Sequence, residues 1–378
     1  MRVAILGQFP LDVTKLGGVE VAIVYLMDSL RSVGVDDLHI ITCRTDLGSE
    51  QTATVRDATV HYLPRRRQGR LTWHLREVGR MKALLRNLRP DIVHGHSTGL
   101  YAGAALTSGF PNVITAHGIV AREVALYQGI GMRLRGSVDV LYERYCLNKA
   151  RDIIAISPYV QEVFQPLTEA RFHLIENAVD HAFFRLTPQP AAGRILFAGA
   201  VIERKGLLPL VKALASVKKA QPHVELRIAG GTPDQRYYQA LLQIADTLGV
   251  RANISFVGLL DQEHLLEEYA RCSLFVLPSF QETAPMAVQQ ALAAGVPVVA
   301  TPAGGVPAIV KDGMTGLLVE TGDSDALATA ISRLLYDERL RADMGARGRA
   351  EAETRFMPEV VAKKTKAVYD EILSGAGR

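Results

Sequence analysis

The sequence predicts an α/β protein built of two doubly wound, Rossmann-like domains facing across a cleft. Three observations carry that expectation. Short β-branched runs alternate with amphipathic helical patterns along nearly the whole chain, which is the pattern of parallel sheets covered on both faces by helices. The alternation breaks once, at Thr187-Pro-Gln-Pro-Ala-Ala-Gly193, and then resumes. A chain of 378 residues, at about 150 residues per domain, holds two or three domains.

The first series of strands is expected at Val3–Gly7, Leu38–Thr42, Asp91–His94, Asn112–Ala116 and Asp152–Ile156. The second is expected at Arg194–Gly199, Val224–Ala229, Asn253–Val257, Ser273–Leu277 and Val296–Ala300. Helix-length segments lie between them, among them Val19–Val33, Leu207–Ala220, Asp234–Leu248 and Met286–Ala294. The division that follows is a first domain over 1–186, a hinge at 187–193 and a second domain over 194–356. The remaining 357–378 carries an amphipathic helix, Pro358 to Leu373, placed to pack back onto the first domain. Doubly wound sheets bind ligands at the carboxyl ends of their strands, so the ligand is expected in the cleft.

Composition narrows the class. Hydrophobic residues at 48% and charged residues at 22% are an ordinary globular balance, which excludes a disordered or fibrous chain. A net charge of +4 is too mild for a nucleic-acid binder. Cys43, Cys146 and Cys272 are odd in number, far apart and form no CxxC pair. They announce neither a disulfide framework nor a zinc site, and a reducing cytoplasm suits them. The opening MRVAILGQFP has one charge, a short apolar run and a proline, unlike a signal peptide. Two long stretches without charge, Ile92–Ala121 and Thr283–Val310, carry polar residues, Gly and Pro, so neither is a membrane span. A soluble cytoplasmic protein is expected.

Four segments carry candidate chemistry. Leu16-Gly17-Gly18-Val19-Glu20 follows the first strand and opens a helix. Paired glycines let backbone approach a ligand, and the free N–H groups of a helix start favour an anion. The same residues also suit a plain tight loop. No G-x-G-x-x-G follows this strand, which counts against a dinucleotide oxidoreductase. Phe197-Ala-Gly-Ala-Val-Ile-Glu-Arg-Lys-Gly206 repeats the strand–loop–helix plan. Arg204 and Lys205 there suit a diphosphate, whose charge must be neutralised as it leaves; a solvated basic loop is the competing reading.

The third segment runs from Leu277-Pro-Ser-Phe-Gln-Glu282 through Thr-Ala-Pro285-Met-Ala-Val-Gln-Gln290 to Ala300. Pro285 falls where a helix should begin, leaving the N–H groups of Met286 and Ala287 open to a phosphate. Gln290 lies one turn further in. Glu282, just outside that turn, would repel a phosphate unless it contacts something else, such as sugar hydroxyls; it also suits a helix-entry carboxylate. The fourth is histidine-rich: Pro90-Asp-Ile-Val-His94-Gly-His96-Ser and Thr115-Ala-His117-Gly118. All three histidines fall at the ends of expected strands, and no further ligand follows at a metal-binding spacing.

Taken together the arrangement resembles the family 4 glycosyltransferases, retaining enzymes of the GT-B fold. The likeness covers nearly the whole chain: the Gly17-Gly18 loop, Pro90-Asp-Ile-Val-His94, Thr115-Ala-His117-Gly118, Ile154-Ala-Ile-Ser157-Pro, Ile175-Glu-Asn177-Ala-Val-Asp180, Lys205-Gly206, and Gly304-Gly305 through Gly316-Leu-Leu-Val319. Pro278–Ala300 matches the family's E-x7-E region. The resemblance implies that Lys205, with Arg204 beside it, neutralises the donor diphosphate, that Glu282 holds hydroxyls of the transferred hexose, and that Gly17 and Gly18 approach the phosphates or the acceptor. It implies that His117 lies beside the reacting carbon. Gly230 and the Phe256-Val-Gly258-Leu259 turn fall to the donor, the latter to its base. Front-face attack, with the departing phosphate taking the acceptor's proton, accounts for the lack of an obvious nucleophile.

Three departures stand out. The family's second glutamate is Gln290 here, an amide that still hydrogen-bonds ribose hydroxyls, less strongly than a carboxylate. The arginine that often follows the strand's glycine is Ala200, with Arg204 as its stand-in. The usual Gly-Phe-Gly after the first glutamate is Thr283-Ala284-Pro285, and Pro285 lacks an N–H. No metal is expected: Asp323-Ser-Asp325 is a D-x-D by spelling but follows Gly322 and precedes a helical run, which suits an N-cap. No cofactor is expected either, the nucleotide-sugar being a co-substrate.

From Tyr62 to Pro90 nine basic residues face one acid, a local net of +8. Leu71, Leu75, Val78, Met81, Leu85 and Leu88 recur at helical spacing, with Trp73 nearby. Residues 65–89 therefore read either as a basic amphipathic helix on an anionic membrane surface or as a domain helix with a solvated Arg face. The expected function is transfer of a sugar from a UDP- or GDP-sugar to a glycan, lipid-linked or small-molecule acceptor, in a protein that closes over its donor. A sugar-nucleotide epimerase of the same architecture and a sugar-nucleotide-binding protein without turnover are the competing readings.

Overall fold

The computed structural model describes residues 1–14, 16–65, 72–126 and 130–375. The chain divides into two compact units: Met1–Leu11, Gly17–Ala178 and Pro358–Arg378 in the first, Asp12–Leu16 and Val179–Met357 in the second.

Among the described residues the first unit holds eight strands: β1 (Arg2–Leu6), β2 (Asp37–Arg44), β3 (Gln51–Val55), β4 (Ala58–Pro64), β5 (Ile92–His96), β6 (Asn112–Ala116), β7 (Asp152–Ala155) and β8 (Arg171–Leu174). Their order in the sheet is β3-β4-β2-β1-β5-β6-β7-β8. The central strands are apolar on both faces, as helix-covered parallel strands must be; Val3, Ala4, Ile5 and Leu6 of β1 are wholly buried. Sequence pattern led to an all-parallel sheet, and one pair departs from it. β3 and β4 form an antiparallel hairpin turned by Arg56 and Asp57, at φ 46° and 58°. Two successive left-handed residues make the tight turn whose twist matches the strands; without the usual Asn-Gly it leaves no signal.

The helix Leu75–Leu88 explains the basic segment. Its Met81 and Leu85 join a core with Ala4, Leu6, Ile41 and Val93, and Val78, Leu84 and Leu88 pack against it. Most of the apolar stripe therefore faces the unit's own core, while Leu75 at its start is 70% exposed and Arg76, Arg86 and Arg89 are exposed as well. Arg66, Arg67, Arg70 and Leu71 lie outside the described residues. The C-terminal helix Pro358–Ser374 packs against the helix Gly18–Arg31 of the same unit.

The second unit's sheet is parallel throughout: β9 (Arg194–Ala198), β10 (Glu225–Ala229), β11 (Ile254–Gly258), β12 (Leu274–Leu277), β13 (Val298–Ala300) and β14 (Gly316–Leu318), in the order β11-β10-β9-β12-β13-β14. The change of unit falls at Ala178–Val179, ahead of the Pro-rich 187–193. That segment is strapped to the second unit: Gln189 N–H donates to Ala270 C=O (2.7 Å) and Ala191 N–H to Arg271 C=O (2.9 Å). Its prolines fix an extended path, and the N–H groups between them do the anchoring.

Both sheets reverse their winding once. The reversal lies between β1 and β5 in the first and between β9 and β12 in the second. At such points the loops leaving adjacent strands diverge and open a crevice at the carboxyl ends.

Candidate functional site

In the second unit the loops leaving β9 and β12 supply charge to that crevice. Glu203–Lys205 makes one 3-10 turn and ends at Gly206, at φ +69°. A Cβ there would overlap the carbonyl oxygen of Pro278 at the end of β12, so only glycine lets the two loops meet so closely. The loops are stitched together: Phe280 N–H donates to Arg204 C=O (2.8 Å), and Arg204 Nη1 donates to Gln281 C=O (2.7 Å). Lys205 Nζ then reaches Glu282 Oε1 at 2.6 Å, with side chains only 15% and 6% exposed. Arg204 Nη1 stands 4.0 Å from Glu282 Oε2.

This pair answers the difficulty raised by a carboxylate beside a phosphate site. The ammonium has three donors, so one holds Glu282 and two remain. Glu282 keeps Oε2 free of close hydrogen bonds from Arg204, available to a hydroxyl. Arg204, expected as the stand-in for the arginine missing at Ala200, is turned toward Glu282.

The helix Met286–Ala293 starts beside them, with Pro285 as its N-cap. Val288 and Gln289 N–H both donate to Pro285 C=O (3.1 and 3.3 Å). The proline therefore stands ahead of the helix's first N–H groups, those of Met286 and Ala287, and removes none of them. Gln290 is buried, its Oε1 3.5 Å from the Tyr269 hydroxyl, which donates to Ala287 C=O at 2.8 Å. The neighbouring Gln289 is wholly buried and neither of its amide atoms has a hydrogen-bond partner among the described residues.

Further along the rim, Gly230 is packed so closely that a Cβ would overlap Gly199 O. Its N–H donates to Gly258 C=O (2.7 Å), which aligns the ends of β10 and β11. Leu259 follows, 44% exposed, while Phe256 stacks edge-on against Tyr238. Asp323 caps the helix Ser324–Tyr336, accepting from Asp325 and Ala326 N–H (both 2.9 Å).

The first unit's rim carries the histidine cluster, with Glu176 lining the same pocket. Gly17 caps the helix Gly18–Arg31 and donates its N–H to Glu20 Oε2 (2.8 Å), while Gly18 has open space where a Cβ would be. His94 is wholly buried, its Nδ1 2.6 Å from the Tyr369 hydroxyl and its Nε2 2.6 Å from Thr115 Oγ1. Burial, reinforced by His117, pushes His94 down to about 3. His96 Nδ1 lies 2.7 Å from His117 Nε2, the rings stacked at 4.9 Å. Burial lowers His117 to about 4 and holds His96 well below the ordinary histidine value, since a low-dielectric site disfavours the cation. Behind the His117 loop, buried Glu143 accepts from Thr98 Oγ1 (2.9 Å), Val120 N–H (2.9 Å) and Ala121 N–H (3.3 Å). Burial raises its pKa against those hydrogen bonds.

Sequence reasoning named the histidine cluster without its pairing. His94 and His96 are two apart on one strand, so they share a face, which was readable. Tyr369, Tyr269 and Glu143 come from distant helices and left no local signal.

Two family models match the chain, Glycosyltransferase Family 4 over residues 16–183 and Glycosyl transferases group 1 over residues 181–351. The chain is 36% identical over 156 residues to a GDP-mannose-dependent alpha-(1-6)-phosphatidylinositol monomannoside mannosyltransferase of Mycolicibacterium smegmatis, covering 39% of this chain and 40% of that one. It spans between a fifth and two fifths of the length of the first curated relatives that it matches. Sucrose-phosphate synthase from Thermosynechococcus elongatus shares its fold with a TM-score of 0.82 and 21% identity, over 99% of this chain and 100% of that one. The Anabaena protein HepE, in complex with UDP-glucose, does so with a TM-score of 0.77 and 20% identity, over 98% and 100%.

Proposed function

Since the chain belongs to the family 4 glycosyltransferases and has the GT-B fold, we propose that it moves a hexose from a UDP- or GDP-sugar to a hydroxyl acceptor, with retention of anomeric configuration and without a divalent metal. The observation that carries this reading is the Lys205–Glu282 pair at the winding reversal of the second sheet. The two remaining Lys205 donors hold the donor's diphosphate and neutralise charge as it departs. The first N–H groups of Met286–Ala293 add a second anion contact. Glu282 Oε2 accepts from hydroxyls of the sugar, and Gln290 serves the ribose. In the first unit His117 serves the transferred sugar as a neutral hydrogen-bonding ring.

The acceptor oxygen attacks the anomeric carbon on the face that the phosphate leaves. The anomeric C–O bond to phosphate breaks, the new glycosidic bond forms, and the acceptor's proton passes to a phosphate oxygen. Both bases stay within the reading, because one relative is GDP-mannose-dependent and a fold neighbour binds UDP-glucose. Glycan, lipid-linked and small-molecule acceptors all suit it. We place the protein in the cytoplasm, with Arg76, Arg86 and Arg89 drawn to anionic lipid by charge alone; vesicle binding indifferent to anionic lipid content overturns that placement.

Titration with UDP-, GDP-, ADP- and TDP-sugars without metal, followed by assay of nucleotide release, tests the function. Binding with release that Glu282→Ala abolishes supports transfer. Isomerised sugar without release favours an epimerase, and binding with no chemistry favours a sugar-nucleotide-binding protein. No binding overturns the reading.

A further inference from the structure

We propose that His96 is a positioning residue that fixes the proton of His117, holding that ring as the Nδ1–H tautomer. The inference rests on the reading of His117 as the ring that serves the transferred sugar, and goes beyond it by naming which nitrogen does so.

A single proton bridges the pair. Both rings are neutral near pH 7 because burial disfavours their cations, so the 2.7 Å contact between His96 Nδ1 and His117 Nε2 has one donor and one acceptor. Geometry at the other end of His96 decides which. His96 Nε2 is buried and has no hydrogen-bond partner among the described residues. His94, whose ring lies 4.4 Å away, cannot serve it, since both His94 nitrogens are engaged by Tyr369 and Thr115. Beside these rings lies a cavity of about 20 Å³, walled by Ala22, Leu26, Ile154 and Ile156 and, on its polar side, by Thr115, Glu176, Asn177 and Thr365, none of which comes within hydrogen-bond reach of His96 Nε2.

A proton on His96 Nε2 would bury an N–H with no acceptor within hydrogen-bond reach among the described residues, while a bare Nε2 leaves only an unused lone pair. Buried orphan N–H groups are the rarer and costlier case. His96 therefore carries its proton on Nδ1 and donates it to His117 Nε2. His117 must then carry its own proton on Nδ1, which makes that nitrogen a fixed donor for a sugar oxygen. Donor character is what a developing negative charge or a hydroxyl lone pair requires; the other tautomer would offer a lone pair instead.

The direct test is a long-range ¹H–¹⁵N correlation spectrum of the full chain labelled with ¹⁵N-histidine. His117 is expected to show a protonated Nδ1 and a bare Nε2; a protonated Nε2 overturns the proposal without touching the functional reading. Two variants of nearly one shape give the kinetic arm. His96→Asn keeps an N–H near the place of Nδ1 and is expected to retain the tautomer and most of kcat. His96→Asp presents only an acceptor, and is expected to flip His117 and lower kcat roughly tenfold, the worth of one lost hydrogen bond. Equal losses in both variants with the tautomer unchanged reduce His96 to packing and overturn the proposal. A wild-type chain that releases nucleotide from no sugar donor overturns the reading of His117 itself, whatever the spectrum shows.

Discussion

The two units put opposite chemistry at the same topological place. Both sheets reverse their winding once; the second unit sets its functional side chains on the loops that leave the strands there, the first mainly on the carboxyl ends of β5 and β6. The second unit fills that rim with full charges: Lys205 bonded to Glu282, and Arg204 standing 4.0 Å from the same carboxylate. The first sets there three desolvated histidines, bonded to one another or to a threonine and a tyrosine, with Glu176 lining the same pocket. Topology thus sets where a site can stand, and a few side chains set what it does. A charged rim suits a diphosphate, whereas uncharged histidine rings offer single hydrogen bonds instead.

Removing charge from the second rim should have the largest effect. Lys205→Met leaves Glu282 buried without its partner. Donor binding is expected to weaken by roughly 2–5 kcal/mol, read by calorimetric titration, with stability falling by about 3 kcal/mol. Unchanged affinity would break the contrast between the two rims. Next comes the close approach that places the charges. Gly206→Ala collides with Pro278 O at a positive φ, and denaturant unfolding is expected to show a loss of about 2–3 kcal/mol. Gly18→Ala, where the first unit has open space, should shift stability by less than about 0.5 kcal/mol.

Acid sharpens the comparison from the other side. The folded pKa values of His94 and His117, about 3 and about 4, lie below the ordinary 6.5. Between those limits the unfolded chain binds more protons than the folded one, so stability is fully present above about 6.5. It drains away as pH falls toward 4 and below. The single tryptophan, Trp73, stacks on Tyr142 in the first unit, so its fluorescence should report that loss. Backbone exchange in β9 and β12 is expected to stay slow over the same interval. A residue that only caps separates stability from binding: Asp323→Ala should lose about 1 kcal/mol and leave donor binding unchanged.

Much of the fold was legible because the buried parallel strands are almost pure aliphatic runs; Arg194–Ala198 and Leu274–Leu277 fall within a residue or two of their expected places. Strands without that signature were not. Gln51–Val55 is an exposed edge, Arg171–Leu174 is half polar, and Gly316–Leu318 is only three residues long. The change of unit at Ala178 was hidden because proline and glycine mark an extended path as readily as a hinge. Lys205, Gly206 and Glu282 could be found because they sit at strand ends in local motifs. The Tyr369–His94 and Glu143–Val120 bonds could not, since each joins residues that only the folded packing brings together.

Crystals grown with UDP and with GDP test the central claim most directly. The account predicts phosphate oxygens within hydrogen-bond reach of Lys205 Nζ and of the first N–H groups of Met286–Ala293, with Glu282 still paired to the lysine. A diphosphate seated instead against Gly17 and Gly18, with no phosphate contact to Lys205, would contradict it.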